Sequence, residues 1–188
     1  MKRRIAMGKV VYLCGLCVMI CFLAATAFAN NQHTFGNYRP MVFVHGGAGS
    51  GAQFQSHAMR FAGNGYPLKY LSVHEYDSTM SINTYDQIYA ALDQTIDKLL
   101  KETGADKVEL LGHSMGTFVL QGYLATPVRA ARVAHYVNID GRTAAALPGG
   151  VPTLAIWAGK GWTYVPGNTI VGATNVLIPN QTHVEVAT

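Results

Sequence analysis

The main hydrophobic pattern along the chain is a series of short apolar runs that alternate with amphipathic segments. The runs predict six strands, near residues 40–45, 70–76, 107–112, 133–139, 153–158 and 173–178. The amphipathic segments predict helices near residues 53–63, 84–103 and 115–125. Because strands and helices alternate, we expect an α/β fold: a mainly parallel sheet of about six strands flanked by helices.

The second helix has the clearest periodicity. Its apolar positions recur at spacings of three and four, and they are Tyr85, Ile88, Leu92, Ile96 and Leu99. Thr84 and Gln87 have the spacing of a capping box, and Gly104 has the place of a C-terminal cap. We expect the apolar stripe to pack on the sheet rather than to form a binding groove.

A glycine-flanked serine, Gly112-His113-Ser114-Met115-Gly116, stands between the third strand and the third helix. This G-x-S-x-G pattern is typical of a sharp strand-to-helix turn that exposes a nucleophilic serine. Side chains at 112 and 116 are expected to collide with neighbouring backbone. The turn also places Ser114 at a helix N-terminus, where the N–H of Met115 can bind an oxyanion. The alternative is a glycine-rich turn that merely packs tightly.

A second glycine-rich turn, residues 45–51, follows the first strand. Such a turn commonly supplies the other oxyanion donor, here the N–H of Gly47 or of Ala48. A phosphate-binding loop is the alternative. It is disfavoured because no Lys-Ser or Lys-Thr pair follows and the glycines lack the G-x-G-x-x-G spacing.

In sites of this type the general base and the orienting acid both follow the serine in the chain. Of the seven histidines, His183 is C-terminal to Ser114 and just beyond the last predicted strand, which suits a general base. His135 lies within a strand pattern and is discounted. Asp140 is the one acidic residue between Ser114 and His183, at the end of the fourth strand. The alternative role for Asp140, in an Asp-Gly pair, is to cap a turn.

With these motifs, residues 39–188 resemble the α/β-hydrolases of the secreted esterase and lipase type. In many members of that superfamily the acid follows the next strand, but residues 160–167 contain no carboxylate. Some lipases take the acid one strand earlier, which matches Asp140. If Asp140 lies too far from His183, the protein works with a dyad or is inactive. The resemblance also predicts a minimal form without a lid domain. A closing helix is missing after His183, which we interpret as a truncated sequence or a fragment.

The N-terminus has the pattern of a signal peptide. A basic start precedes an apolar run at 10–25 and a small-x-small site at 27–29, so we predict a signal peptide at 1–29 and a hydrolase domain at 30–188. The protein is then secreted or periplasmic after cleavage near Ala29; an uncleaved membrane anchor is the alternative. All three cysteines lie in this segment, as do four of the 14 basic residues and none of the 10 acidic ones. The remaining charge is balanced, which argues against nucleic-acid binding.

The resemblance implies a secreted serine hydrolase that cleaves carboxylic esters through an acyl-enzyme on Ser114, with His183 as base and Asp140 orienting it. The expected partner is a small-molecule or lipid ester, with transient contact to a lipid surface, and no metal or organic cofactor is implied. We expect Trp157 to lie in the core, and Trp162 and Tyr164 to be ordinary loop residues. The alternative is that these three aromatic residues form an apolar wall around the acyl group. Open alternatives are amidase or polyester depolymerase activity and a non-catalytic binding protein. The oligomeric state is not predicted.

Overall fold

All six apolar runs form strands in the computed structural model, which describes residues 38–188. Their bounds agree with the predictions to within two residues. The strands are β1 (Met41–Val44), β2 (Leu71–His74), β3 (Val108–His113), β4 (Val133–Ile139), β5 (Thr153–Ala158) and β6 (Thr174–Ile178). They pair in one parallel sheet in the order β2-β1-β3-β4-β5-β6. The predicted α/β fold with a parallel sheet is confirmed.

The three predicted helices are also present, and a fourth short helix was not predicted. They are α1 (Gln55–Gly63), α2 (Tyr85–Thr103), α3 (Met115–Leu124) and α4 (Pro127–Ala130). A single 3-10 turn precedes α1, and another, Glu185–Ala187, follows His183. Helix α4 has only four residues, too few to produce a hydrophobic period in the sequence.

Helix α2 forms as its periodicity predicts, with one correction. The side chain of Thr84 accepts from the N–H of Gln87, and the Gln87 side chain accepts from the N–H of Thr84, so the capping box is present. Gly104 ends the helix with a φ of +71°, a conformation that glycine adopts without strain. The predicted stripe is buried except for Tyr85, the first residue of the helix, which is 42% exposed.

Alternate residues of the strands supply two separate cores. Val42 and Leu110 face the cluster that contains the buried stripe of α2 and the apolar side of α3. Phe43 and Leu111 face the other cluster, which Phe54 and Ala187 complete. Side chains on successive strand residues point to opposite faces, so a sheet covered on both sides needs these near-continuous apolar runs.

The carboxyl ends of the strands meet at one edge of the sheet, and Ser114 and Asp140 directly follow β3 and β4 there. Residues 38–188 form one compact unit, so the described part of the chain has no separate lid domain. The predicted signal peptide, residues 1–29, lies outside the described residues. Within the described range, no helix combines the length and hydropathy required to cross a bilayer.

The glycines of the turn around Ser114 allow the close backbone contact that the sequence predicts. A β-carbon at Gly116 would lie 2.2 Å from the carbonyl oxygen of Val44, and one at Gly112 would lie 3.0 Å from the backbone of Gly116. The start of α3 therefore packs directly on the end of β1.

We expect Gly116→Ala to lower the free energy of unfolding by about 1–3 kcal/mol, because the added methyl group displaces β1 or α3. Gly63→Ala is the matched control: it lies at the end of α1 with no atom within 4 Å of a new β-carbon. Urea unfolding of both variants measures the difference. Equal stability of the two variants would show that the contact at Gly116 is not tight.

Candidate active site

Ser114 occupies a strained turn between β3 and α3. Its φ is +53° and its ψ is −120°, a combination that is unfavourable for a residue with a side chain. The N–H of Ser114 donates to the carbonyl of Ile139 at 3.0 Å, and its carbonyl accepts from Thr117 Oγ1 at 2.6 Å. These bonds, together with the packing of Gly116, hold the backbone in this conformation.

Asp140 and His183 form a hydrogen-bonded pair although 43 residues separate them. His183 Nδ1 lies 2.6 Å from Asp140 Oδ2, and the two side chains are 12% and 3% exposed. An ionised carboxylate only accepts, so Nδ1 carries the proton and Nε2 is left as an acceptor. This is the orientation in which a histidine can take a proton from a serine.

The buried carboxylate of Asp140 has two further donors. The N–H of Ala158 donates to Oδ1 at 2.9 Å, and Thr163 Oγ1 donates to Oδ2 at 2.9 Å. The backbone of Asp140 has a φ of +40°, which aims the side chain back toward the end of β5. With three donors the desolvated carboxylate is compensated, as a buried charge must be.

Thr163 is a site residue that the sequence reasoning missed. It lies in the loop at 160–167, which contains no carboxylate. In the structure this loop instead supplies a hydroxyl to the acid that follows the preceding strand. A threonine among loop residues has no sequence pattern that distinguishes this role.

Ser114 and His183 line the same cavity, which has a volume of about 350 Å³. Gly46, Gly47 and Gln53 line it as well. Among the described residues Ser114 Oγ makes no hydrogen bond. Hydrogen bonds between a nucleophile and its base are often long before a substrate binds, so Ser114 and His183 are still candidates for proton transfer.

The glycine-rich turn leaves one of its N–H groups free to act in the cavity. The N–H of Gly46 donates to Gln53 Oε1 at 3.2 Å, that of Ala48 to Ser78 Oγ at 2.9 Å, and that of Gly49 to the Gly46 carbonyl at 3.2 Å. The N–H of Gly47 has no partner within residues 38–188. This geometry favours Gly47 over Ala48 as an oxyanion donor.

Met115 lies opposite Gly47 in the same cavity region. A β-carbon at Gly47 would lie 3.7 Å from Met115 Sδ and 3.9 Å from its Cβ. The N–H of Met115 is the first of α3 and has no partner in the described part of the chain, as expected at a helix N-terminus. Two free N–H groups therefore lie near Ser114, a suitable pair to stabilise an oxyanion.

His113, the residue before Ser114, contacts both loops around the site. Its Nδ1 lies 2.6 Å from Gln53 Nε2, and its Nε2 lies 2.9 Å from the carbonyl oxygen of His183. Burial lowers the pKa of His113 to about 4. These contacts connect His113 to both loops, and Gln53 is a further site residue that the sequence alone did not predict.

The other turn histidine, His45, is also buried. Its Nδ1 donates to the carbonyl of Gly46 at 2.9 Å, and its ring stacks on Tyr76 with centroids 4.5 Å apart. Tyr76 in turn donates to the carbonyl of His45 at 2.9 Å. Nearby, burial lowers the pKa of His74 to about 4, and the proximity of His45 contributes to the shift. These contacts fix the entry to the glycine-rich turn.

The aromatic residues near the site divide between core and surface. Trp157 is buried in the core, as expected, and its Nε1 donates to Asn175 Oδ1 at 3.0 Å. Trp162 is 87% exposed, and its ring centroid lies 5.5 Å from that of His183. Two exposed apolar side chains, Val184 in the cavity lining and Trp162 beside His183, therefore form an apolar rim near the site.

A larger cleft of about 590 Å³ lies away from this chemistry, between α3, α4 and the start of β5. Its lining is mostly Ala, Pro, Gly and Val, with Lys107 as its one charged residue. It contains none of the candidate site residues, so its size does not make it the functional site. No group of three or more His, Cys, Asp or Glu side chains within residues 38–188 is arranged to hold a metal ion.

We expect Thr163→Val to lower the free energy of unfolding by about 1–3 kcal/mol at pH 7, because the buried carboxylate of Asp140 loses one of its donors. Thr163→Ser keeps the hydroxyl and is the matched control, for which most of the stability is retained. Urea unfolding of the three proteins measures the effect. A valine variant as stable as the wild type would contradict the assigned bond.

The two histidines with a pKa of about 4 predict a loss of stability in mild acid. In the unfolded chain they bind protons below about pH 6.5, whereas in the folded protein they do so only near pH 4. The unfolded state therefore binds more protons in this window, and stability falls as the pH drops from about 6.5 to about 4.

Each of these histidines accounts for up to about 3 kcal/mol of that loss. Urea unfolding at pH 7.5, 6.0 and 5.0 measures it, and His74→Gln should make the dependence shallower. A wild type with equal stability at pH 7.5 and 5.0 would be inconsistent with neutral buried histidines.

Comparison with known proteins agrees with this architecture. The chain can be superposed on a thioesterase domain from the curacin biosynthetic pathway with a TM-score of 0.59 and 13% identity, covering 80% of this chain and 87% of that one. A structure of the metagenome-derived lipolytic enzymes LipS and LipT superposes with a TM-score of 0.58 and 15% identity, covering 79% of this chain and 86% of that one. Phospholipase PlaB from Legionella pneumophila superposes with a TM-score of 0.50 and 14% identity, covering 65% of this chain and 38% of that one.

At these identities the structural likeness shows the fold alone, and the chain spans only 38% of the phospholipase. Residues 39–148 match the family described as alpha/beta hydrolase fold. That match covers more than half of the chain and includes both glycine-rich turns and Asp140. The chain therefore belongs to the α/β-hydrolase superfamily.

Proposed function

We propose that this α/β-hydrolase cleaves carboxylic esters through an acyl-enzyme on Ser114. The observation that carries the proposal is the 2.6 Å bond between His183 Nδ1 and Asp140, in a cavity that Ser114 also lines. Three residues far apart in sequence meet at the carboxyl edge of the sheet, where α/β folds place their reactive groups. This geometry supports the proposal that Ser114 is the nucleophile, His183 the general base and Asp140 the orienting acid.

In this mechanism Ser114 Oγ attacks the ester carbonyl carbon while its proton passes to His183 Nε2. The carbonyl oxygen becomes an oxyanion and accepts from the N–H groups of Gly47 and Met115. The protonated His183 then gives its proton to the leaving alkoxide, and the alcohol departs. A water molecule attacks the acyl-enzyme by the same route and releases the acid. Asp140 stays ionised and stabilises the imidazolium.

The substrate that fits best is a small-molecule or lipid ester with an apolar acyl group. The residues that line the cavity include three glycines and Val184 and no Lys, Arg, Asp or Glu, and the exposed Trp162 lies beside His183, so the site offers apolar contact rather than charge. The names of two superposed structures, one of metagenome-derived lipolytic enzymes and one of a thioesterase domain, support acyl transfer as well. An exposed apolar rim would also allow transient contact with a lipid surface.

The location of the enzyme is part of the proposal. Residues 1–29 have the charge and hydropathy pattern of a signal peptide, which supports secretion or periplasmic export.

The alternative of a non-catalytic binding protein was motivated by the missing carboxylate in the loop at 160–167. Asp140 is within hydrogen-bond distance of His183, so that motivation is weakened.

The test is hydrolysis of short- and long-chain p-nitrophenyl esters by the wild type, Ser114→Ala and Asp140→Asn. We expect Ser114→Ala to lower kcat by about 10⁴-fold or more, and Asp140→Asn by roughly 10²–10⁴-fold because the histidine loses its orientation. The preferred chain length separates an esterase from a lipase.

Ser72→Ala is the matched control, since Ser72 lies on β2, away from the site, and its side chain makes no hydrogen bond within residues 38–188. A fluorophosphonate probe followed by peptide mass mapping identifies the reactive serine directly. A folded wild type that neither hydrolyses these esters nor reacts with the probe would contradict the proposal.

A further inference from the structure

Gln53 contacts two of the three chain segments that build the site, and reaches the third through His113. Its Oε1 accepts from the N–H of Gly46 at 3.2 Å, on the glycine-rich turn. Its Nε2 lies 2.6 Å from His113 Nδ1, next to Ser114. His113 Nε2 then lies 2.9 Å from the carbonyl oxygen of His183, the candidate base.

The bond from the Gly46 N–H to Gln53 fixes the direction of the other two hydrogen bonds, which connect Gln53 to His113 and His113 to His183. A backbone N–H only donates, so the side-chain atom facing Gly46 is the amide oxygen of Gln53. The amide nitrogen of Gln53 then faces His113 Nδ1 and donates to it. His113 Nδ1 is therefore unprotonated, and the proton of the neutral ring is on Nε2, where it donates to the carbonyl of His183.

We propose that Gln53 is a positioning residue: it sets the tautomer of His113 so that His113 holds the backbone of His183 in place over Ser114. This inference rests on the proposed function, because it assigns His183 the role of base. Gln53 acts through His113 and Gly46 and takes no part in proton transfer. In its absence the ring of His113 is free to carry its proton on Nδ1, which turns a lone pair toward the carbonyl of His183.

The surroundings of His113 keep its ring neutral at working pH. Burial is the main reason that its pKa is lowered to about 4, and the proximity of His183 and His57 lowers it further. Asp140 acts in the opposite direction, as does the bond to the His183 carbonyl. A second proton on Nδ1 would face the amide hydrogens of Gln53, so the bond between Gln53 and His113 needs the neutral form.

Gln53 has one further property that suits it to this role. It lies in the 3-10 turn just before α1 and lines the cavity beside Ser114 and His183. Gln55 lies two residues later at the start of α1 and is exposed. The chain therefore offers a matched control with the same side chain two residues away, outside the cavity lining.

The first measurement is ester hydrolysis by Gln53→Ala, Gln53→Glu and Gln55→Ala. Gln53→Ala should lower kcat roughly 5- to 30-fold with little change in KM, because the base is misplaced while the cavity keeps its shape. Gln53→Glu keeps an acceptor for Gly46 but cannot donate to His113, so kcat should fall in this variant as well. Gln55→Ala should match the wild type.

The second measurement is the tautomer of His113, which is determined by nitrogen NMR of the imidazole rings between pH 6 and 8. The resonance is assigned by its loss in His113→Asn. In the wild type the proton should be on Nε2, and in Gln53→Ala the two tautomers should mix. In Gln53→Glu, Nδ1 should be protonated as well as Nε2, because both ring nitrogens then face an acceptor. A merely structural glutamine would not change this signal in folded variants.

The outcomes separate this inference from the proposed function. Lower kcat together with a changed tautomer in the Gln53 variants supports the positioning role. An unchanged kcat in Gln53→Ala, or a lower kcat with an unchanged tautomer, overturns it. A wild type that is inactive and unreactive with a fluorophosphonate overturns the proposed function, and with it the positioning of a base, whatever the tautomer of His113.

Discussion

The parallel register of β1, β3 and β4 is the constraint on which the rest of the site depends. Val44 pairs with Gly112, and His113 pairs with Ile139, so these three strands end side by side. The turn at Ser114 fits there only because Gly116 brings the start of α3 against Val44. A shift by one residue would turn every strand side chain to the opposite face and would move Asp140 away from the edge. The sheet therefore fixes the nucleophile and the acid before any loop is placed.

The loops add the third residue and the donors that make a buried acid tolerable. Asp140 is desolvated at the edge of the sheet, where an unpaired carboxylate would cost several kcal/mol. Ala158 compensates it from β5, while His183 and Thr163 do so from loops that come later in the chain. The acid thus anchors two segments without regular structure. In this way the group that orients the base also stabilises the path of the chain around it.

The sequence predicts the parts of this arrangement that follow from periodicity or from steric need. The stripe of α2, the strained serine and the acid at the end of β4 all belong to this class. Gln53 and Thr163 do not, because their roles depend on how two loops approach Asp140 and His113 in space. Such polar residues have no period, and His113 and Asp140, the side chains that they contact, are 60 and 23 residues away in the chain. The predicted burial of Tyr85 was wrong, because the periodicity shows which side of α2 is apolar but not how far along the helix that side is covered.

Neutral polar groups dominate the interior next to the acid, and this has an electrostatic consequence. His113 stays uncharged because burial penalises its cationic form. Were it charged, it would repel the imidazolium that forms on His183 during proton transfer, since the two ring centroids are only 4.5 Å apart. A neutral ring can still donate to the His183 carbonyl, so it orients the base without raising the energy of its charged form. The formal charge in direct contact with the His183 ring is that of Asp140, whose sign favours the imidazolium.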